Sequence, residues 1–154
     1  MFRQAAMTQS VTLDIAPLLP HAAPMILIES PIESAENYLM CRTDSHLLAN
    51  HPLRIEGILN IFSGIEYAAQ AMALHARLSG APGQEGEQPP RGFVATASKV
   101  KAFAARLDQY PHPLLVRVDR IASSRDSSLY SFIIKADEIL LLEGQLMAVI
   151  EQQK

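Results

Sequence analysis

Residues 60–80 read NIFSGIEYAAQAMALHARLSG, and this stretch decides the fold. Ile61, Ile65, Met72 and Ala76 recur at near-helical spacing, and alanine, the strongest helix former, is frequent. Asn60 is a candidate N-cap, and Leu78-Ser79-Gly80 is a natural stop. The pattern predicts a helix over 60–79. Gly64 weakens it, because glycine costs a helix about 1 kcal/mol relative to alanine unless close packing requires it. Across Gly57–Ala76, Glu66 is the sole Asp, Glu, Lys or Arg. A helix with so few charges on any side is predicted to be buried on most sides.

Working outward from the helix, the period of the apolar residues changes to two after Gly92. Phe93–Val100, Leu114–Ile121, Leu129–Ala136 and Ile139–Ile150 read as strands. Val116 and Val118 alternate with Arg117 and Asp119, while Tyr130, Phe132 and Ile134 share one face. Polar turns at Ser123–Ser128 and Asp137-Glu138 join the last three as hairpins. Upstream, Met25–Glu29 and Tyr38–Thr43 read as a strand pair, and Asp44–Gly57 is irregular. Gly80–Arg91, GAPGQEGEQPPR, is a mobile loop by composition. Residues 1–10 read as a flexible tail, Asp14 as the cap of a short turn over Ile15–Leu19, and residues 11–154 as one domain. The expected class is α+β: one long helix covering one face of an antiparallel sheet of about six strands.

Composition narrows the function. The chain has 154 residues, of which 49% are hydrophobic and 19% charged, enough apolar content for a core of its own. With 13 basic and 16 acidic residues the formal net charge is -3, which gives no support to a nucleic-acid or anionic-membrane partner. The single cysteine, Cys41, permits no intrachain disulfide and no paired-cysteine metal site, and reads as a small buried hydrophobe. No HxxxH, HExxH, GxSxG, GxGxxG or phosphate-loop motif occurs, so a zinc enzyme, a serine hydrolase and a nucleotide site lack sequence support. No apolar stretch qualifies as a membrane span and no signal segment is evident, so the expected location is the cytoplasm.

Two residues stand out as chemistry. Glu66 is a lone carboxylate in apolar surroundings, which must be partnered, protonated or at the helix edge in contact with solvent. Such a group suits general acid–base work. His51 lies beside Pro52 in the irregular segment, where a loop side chain can enter a cleft. Of the other histidines, His21 suits a tie for the N-terminal turn, His46 a loop surface, His75 the core or an interface, and His112 an exposed turn. Lys99, Lys101, Arg91 and Arg106 form a modest basic cluster around a strand. It reads either as solvated charge or as a landing site for the phosphate of a carrier arm, with Lys99, Lys101 and Arg106 as its binding residues.

The segments LLPHAAPMILIES (18–30), NHPLRIEG (50–57), GIEYAAQAMALHA (64–76) and GFVATASKVKAF (92–103) together resemble the hotdog-fold 3-hydroxyacyl-[acyl carrier protein] dehydratases. The likeness is to the subgroup of bacterial aryl polyene and flexirubin pigment clusters, over roughly residues 13–150. It implies a long central helix wrapped by a curved antiparallel sheet, and dimers with the active site at their interface. A histidine of one subunit then faces an acid of the other. Carried onto this chain, the acid is Glu66 and the histidine most nearly His51. The thioester carbonyl would accept backbone N–H bonds at Ile61 and Phe62, where a helix start offers donors. His51 would take the C2 proton of a 3-hydroxyacyl thioester and Glu66 would protonate the departing hydroxyl, giving a trans-2-enoyl thioester and water. The implied substrate is carried on acyl carrier protein or coenzyme A, no metal or cofactor is required, and the phosphopantetheine arm belongs to the substrate. A homodimer is expected, with a higher oligomer or a heterodimer with a related dehydratase as alternatives. NHPLRIEG departs from the GHFPG-like segment of the standard dehydratases, which makes Glu66 the firmer assignment. A hotdog thioesterase, or a non-catalytic partner subunit of a dehydratase heterodimer, are the competing functions.

Overall fold

A computed structural model describes residues 19, 25–29, 31–79 and 94–149. The expected tail at 1–10, the turn capped by Asp14, His21, the loop over 80–91 and Arg91 lie outside the described residues.

The helix forms where the sequence places it. The Asn60 side chain caps its start by accepting from the Phe62 N–H at 2.8 Å. One 3-10 turn, Ile61–Ser63, leads into α1, Gly64–Leu78. The Ser79 N–H closes the far end on the His75 carbonyl at 2.8 Å. Gly64 has a packing reason. A Cβ there would lie 2.7 Å from Leu142 Cδ2 and 2.8 Å from Ile134 Cδ1, so glycine lets the helix start press against the sheet.

Among the described residues the sheet has six antiparallel strands: β1 Pro31–Ser34, β2 Tyr38–Thr43, β3 Val94–Ala102, β4 Leu114–Ser123, β5 Ser127–Ala136 and β6 Ile139–Val149. Their spatial order is β1-β2-β4-β5-β6-β3, so β1 and β3 are the two edges. The last four strands form where the sequence places them, and in β4 and β5 burial alternates with a period of two. Val116 and Val118 of β4 and Tyr130, Phe132 and Ile134 of β5 are buried, while Arg117 and Ser131 are not. That face meets Tyr67, Ala68, Ala71 and Leu74 of α1, all fully buried, in one hydrophobic core. Cys41 of β2 is in the same core, and burial pushes its thiol up to about 12. One long helix against an open antiparallel sheet is the α+β hotdog architecture.

One strand is misplaced by the sequence reading. Residues 25–29 are not a strand; Pro31–Ser34 pairs with β2 instead. The 25–29 backbone is held by side chains. Gln70 of α1 accepts from the Leu27 N–H at 2.8 Å and donates to the Met25 carbonyl. The Leu27 carbonyl accepts from Thr43 Oγ1 at 2.8 Å and Ser45 Oγ at 2.7 Å. With those groups satisfied, Leu27 and Ile28 bury their side chains without a ladder. Pro31, which lacks an N–H, sits at the start of an edge strand, where none is required.

Candidate functional site

The irregular segment before α1 is organised by one arginine. Arg54 Nε donates to the Leu48 carbonyl at 2.8 Å, and Nη1 donates to the Gly57 carbonyl at 2.7 Å and to Asp108 at 2.8 Å. Its Nη2 donates to the His46 carbonyl at 3.2 Å. Asp108, whose side chain is 4% exposed, also accepts two bonds from Arg106. Those bonds, Arg106 first and then Arg54, hold its carboxyl well below the ordinary carboxylate range. Beyond Arg54 the chain makes a tight turn, Ile55 to Ile58. Glu56 and Gly57 both take positive φ, 53° and 80°, and the flanking isoleucines exchange backbone bonds. The 44–58 segment is therefore a built structure that presents His51 to the helix.

His51 is buried, and both of its ring nitrogens are used within the chain. Nδ1 accepts from the Leu53 N–H at 3.0 Å. That bond assigns the neutral ring's proton to Nε2, which donates to the Tyr67 hydroxyl at 2.9 Å. Burial lowers the ring's tendency to protonate, and Arg54 and His46 lower it further. The Leu53 N–H adds a geometric obstacle, because a proton arriving on Nδ1 would face another donor. The neutral ring thus presents a donor to Tyr67, and its lone pair is taken by the Leu53 N–H.

The Tyr67 hydroxyl continues the chain of bonds. It lies 2.8 Å from Ser45 Oγ. Ser45 spends its own proton on the Leu27 carbonyl, so it accepts from Tyr67. Burial pushes the Tyr67 phenol up to about 12, against a smaller lowering by Ser45. The directed sequence is His51 to Tyr67 to Ser45 to Leu27.

Glu66 precedes Tyr67, in the first turn of α1 and half-buried. Its Oε2 is 3.5 Å from Gln70 Nε2, the amide that also holds Met25 and Leu27. The structure thus joins Glu66 and His51 to one network through Tyr67, Ser45, Leu27 and Gln70, while Arg54 and Asp108 brace the loop that carries His51; sequence reasoning passed over all of these as chemistry. The signal available was the polar intrusions of Gln70 and Tyr67 into an apolar helix.

Other expectations change. The N–H of Ile61 donates to the Ala105 carbonyl at 3.1 Å and that of Phe62 to Asn60, so neither is a spare donor for a thioester carbonyl. Arg106 is engaged with Asp108, whereas Lys99 and Lys101 are exposed at a bulge of the edge strand β3. Lys99 there takes a positive φ of 55°. His46 is no surface residue: it is fully buried and its Nε2 donates to the Tyr110 carbonyl at 2.9 Å. Its Nδ1 has no hydrogen-bond partner among the described residues. His75 belongs to the core, and His112 is exposed as expected. Among the described residues, no group of three or more His, Cys, Asp or Glu is placed to hold a metal ion, and no helix is long and apolar enough to cross a membrane.

A hotdog chain with a half-buried carboxylate in the first turn of its helix, tied to a buried His–Tyr–Ser network, is the class of protein this site defines. The chain belongs to the ApeP-like dehydratase family, whose model (ApeP dehydratase) matches residues 13–154. That membership makes it a dehydratase-type protein. Comparison with curated protein sequences gave no match. Among solved structures, it is similar to a chain of the ApeI:P dehydratase heterocomplex of Xenorhabdus doucetiae. The identity is 19%, the TM-score 0.74, and the match covers 92% of this chain and 93% of that one. It is also similar to a hypothetical thioesterase of Streptococcus pneumoniae with coenzyme A, at 13% identity and TM-score 0.56 over 81% and 87% of the chains. A Streptococcus mutans protein bound to acetyl coenzyme A matches at 10% identity and TM-score 0.56 over 87% and 98%. At these identities the structural likenesses establish the hotdog fold alone.

Proposed function

We propose that this chain is one half of a two-subunit dehydratase acting on 3-hydroxyacyl thioesters, in fatty-acid-like or aryl polyene pigment biosynthesis, and that its reacting group is Glu66. The observation that carries this reading is the state of His51. A dehydration needs a base for the C2 proton and an acid for the leaving hydroxyl. The ring of His51 is buried, neutral and bonded at both nitrogens. The base is then supplied by a second subunit, a related dehydratase. The heterocomplex from Xenorhabdus doucetiae, to which this fold is similar, supports such a pairing.

In the proposed step the partner's base removes the C2 proton and the electron pair forms the C2–C3 double bond. The 3-hydroxyl leaves as water, with its proton from Glu66. The step needs no oxidant and no cofactor. The acyl group arrives on the phosphopantetheine arm of a carrier protein or of coenzyme A. For the carrier, Lys99 and Lys101 are the exposed cations of the basic cluster around β3, since Arg106 is held by Asp108.

The test is mass spectrometry of 3-hydroxyacyl thioesters on carrier protein, incubated with this chain alone, with a related dehydratase subunit alone, and with both. The expected result is loss of water with the thioester intact when both are present, and little or none with this chain alone. Full turnover by this chain alone would point to a self-sufficient homodimer. A free thiol would point to a thioesterase.

A further inference from the structure

The hydrogen-bond network around α1 carries more than the assignment of Glu66, on which this inference rests. Every hydrogen in it has one destination. The Leu53 N–H fixes the His51 proton on Nε2, Nε2–H fixes Tyr67 as acceptor, and Ser45 is left to receive the Tyr67 proton. The chain ends on the carbonyl of Leu27. The N–H of that same residue is held by Gln70 Oε1 at 2.8 Å, and Gln70 Nε2 lies beside the Glu66 carboxylate. Tyr67 is next to Glu66 in the first turn and one turn before Gln70. It is fully buried, so its hydroxyl is a fixed point and not a solvated tip.

We propose that Tyr67 is a positioning residue for Glu66: its phenol, held between His51 and Ser45, pins the first turn of α1 to the loop before it and to the 25–29 segment, whose Leu27 keeps the Gln70 amide against the Glu66 carboxyl. Tyr67 does not touch substrate. It acts through Leu27 and Gln70 on where the Glu66 oxygens sit. A displacement of about 1 Å at a reacting group costs on the order of 100-fold in rate, so a modest loosening is measurable.

The test uses the assembled complex with Tyr67→Phe, which removes the hydroxyl and keeps the ring, and Ser45→Ala, which removes the acceptor of the Tyr67 proton together with one donor to the Leu27 carbonyl. The expected result is a kcat lowered about 10-fold or more with KM within about twofold, the pattern of an interaction lost in the transition state. The second readout is independent of activity. In nitrogen-15 NMR of the folded chain, the wild type should show His51 neutral with its proton on Nε2. The Gln70 side-chain amide signals, which report the bonds to Leu27 and Met25, should move in Tyr67→Phe although Tyr67 does not touch that amide by its hydroxyl. Unchanged Gln70 signals in folded Tyr67→Phe and Ser45→Ala would overturn the proposal, as would unchanged kcat in both. A wild-type complex with no turnover would overturn the assigned function alone, and the NMR arm would still decide the network.

Discussion

The two ends of α1 each carry a buried histidine–tyrosine pair, and the pairs run in opposite directions. Near the C-terminal end, His75 Nε2 donates to the Ala35 carbonyl at 2.9 Å and Nδ1 accepts from the Tyr130 hydroxyl at 2.6 Å. The pair closes there: the helix is tied to β5 and to the turn between β1 and β2. At the N-terminal end His51 donates and Tyr67 accepts, so the Tyr67 proton is passed on to Ser45 and the network reaches Leu27, Gln70 and the neighbourhood of Glu66. The same two residue types thus make a closed tie at one end and an open relay at the other. What separates them is the local partner of Nδ1: a backbone N–H at His51, a phenol at His75. A buried histidine is not by itself evidence of catalysis.

The comparison predicts different failures. Asp108→Ala should have the largest effect on stability. It leaves Arg54 without its anion in a site where the Arg54 side chain is 14% exposed, and breaking such a pair costs about 4 kcal/mol. Because Arg54 also braces the segment that carries His51, turnover of the assembled complex should fall with it. Denaturant unfolding and the thioester assay on the same preparation check both halves. His75→Ala should cost about 3 kcal/mol, from a vacated core position and the lost bond to the Tyr130 hydroxyl, yet leave turnover per folded complex unchanged. Equal losses of turnover in the two variants would erase the distinction between the ends.

The smallest effect is shared by both ends. Burial, first among the causes, lowers the protonation tendency of His46, His51 and His75. Each is more easily protonated in the unfolded chain, where its pKa is near 6.5. The unfolded state therefore binds more protons, and stability is complete above that value and declines as pH falls through it toward the folded-state values. The melting temperature should drop between pH 7 and pH 5. A flat profile there would mean that these rings are not held neutral.

Much of this was legible in the chain. The helix, its Asn60 cap and the last three strands follow from spacing that the structure reproduces, because one-sided burial imposes a period on the sequence. Gly64 read as a defect until Leu142 and Ile134 were seen against it. Residues 25–29 read as a strand because they are apolar. Whether such a run pairs in a ladder depends on distant side chains, Gln70 and Thr43 among them, that local pattern does not reveal. Glu66 was visible as a lone charge. The state of His51 was not, since it is set by the Leu53 N–H and by a phenol 16 positions away.

The most direct test of the account compares Glu66→Gln and His51→Gln in the assembled complex, with folding checked for each. Glu66→Gln keeps the shape and removes the transferable proton, and should lower turnover by about 100-fold or more. His51→Gln keeps an amide N–H for Tyr67 and removes any base, and should cost less than about 10-fold. A folded His51→Gln variant as inactive as Glu66→Gln would contradict the account and return His51 to the role of base.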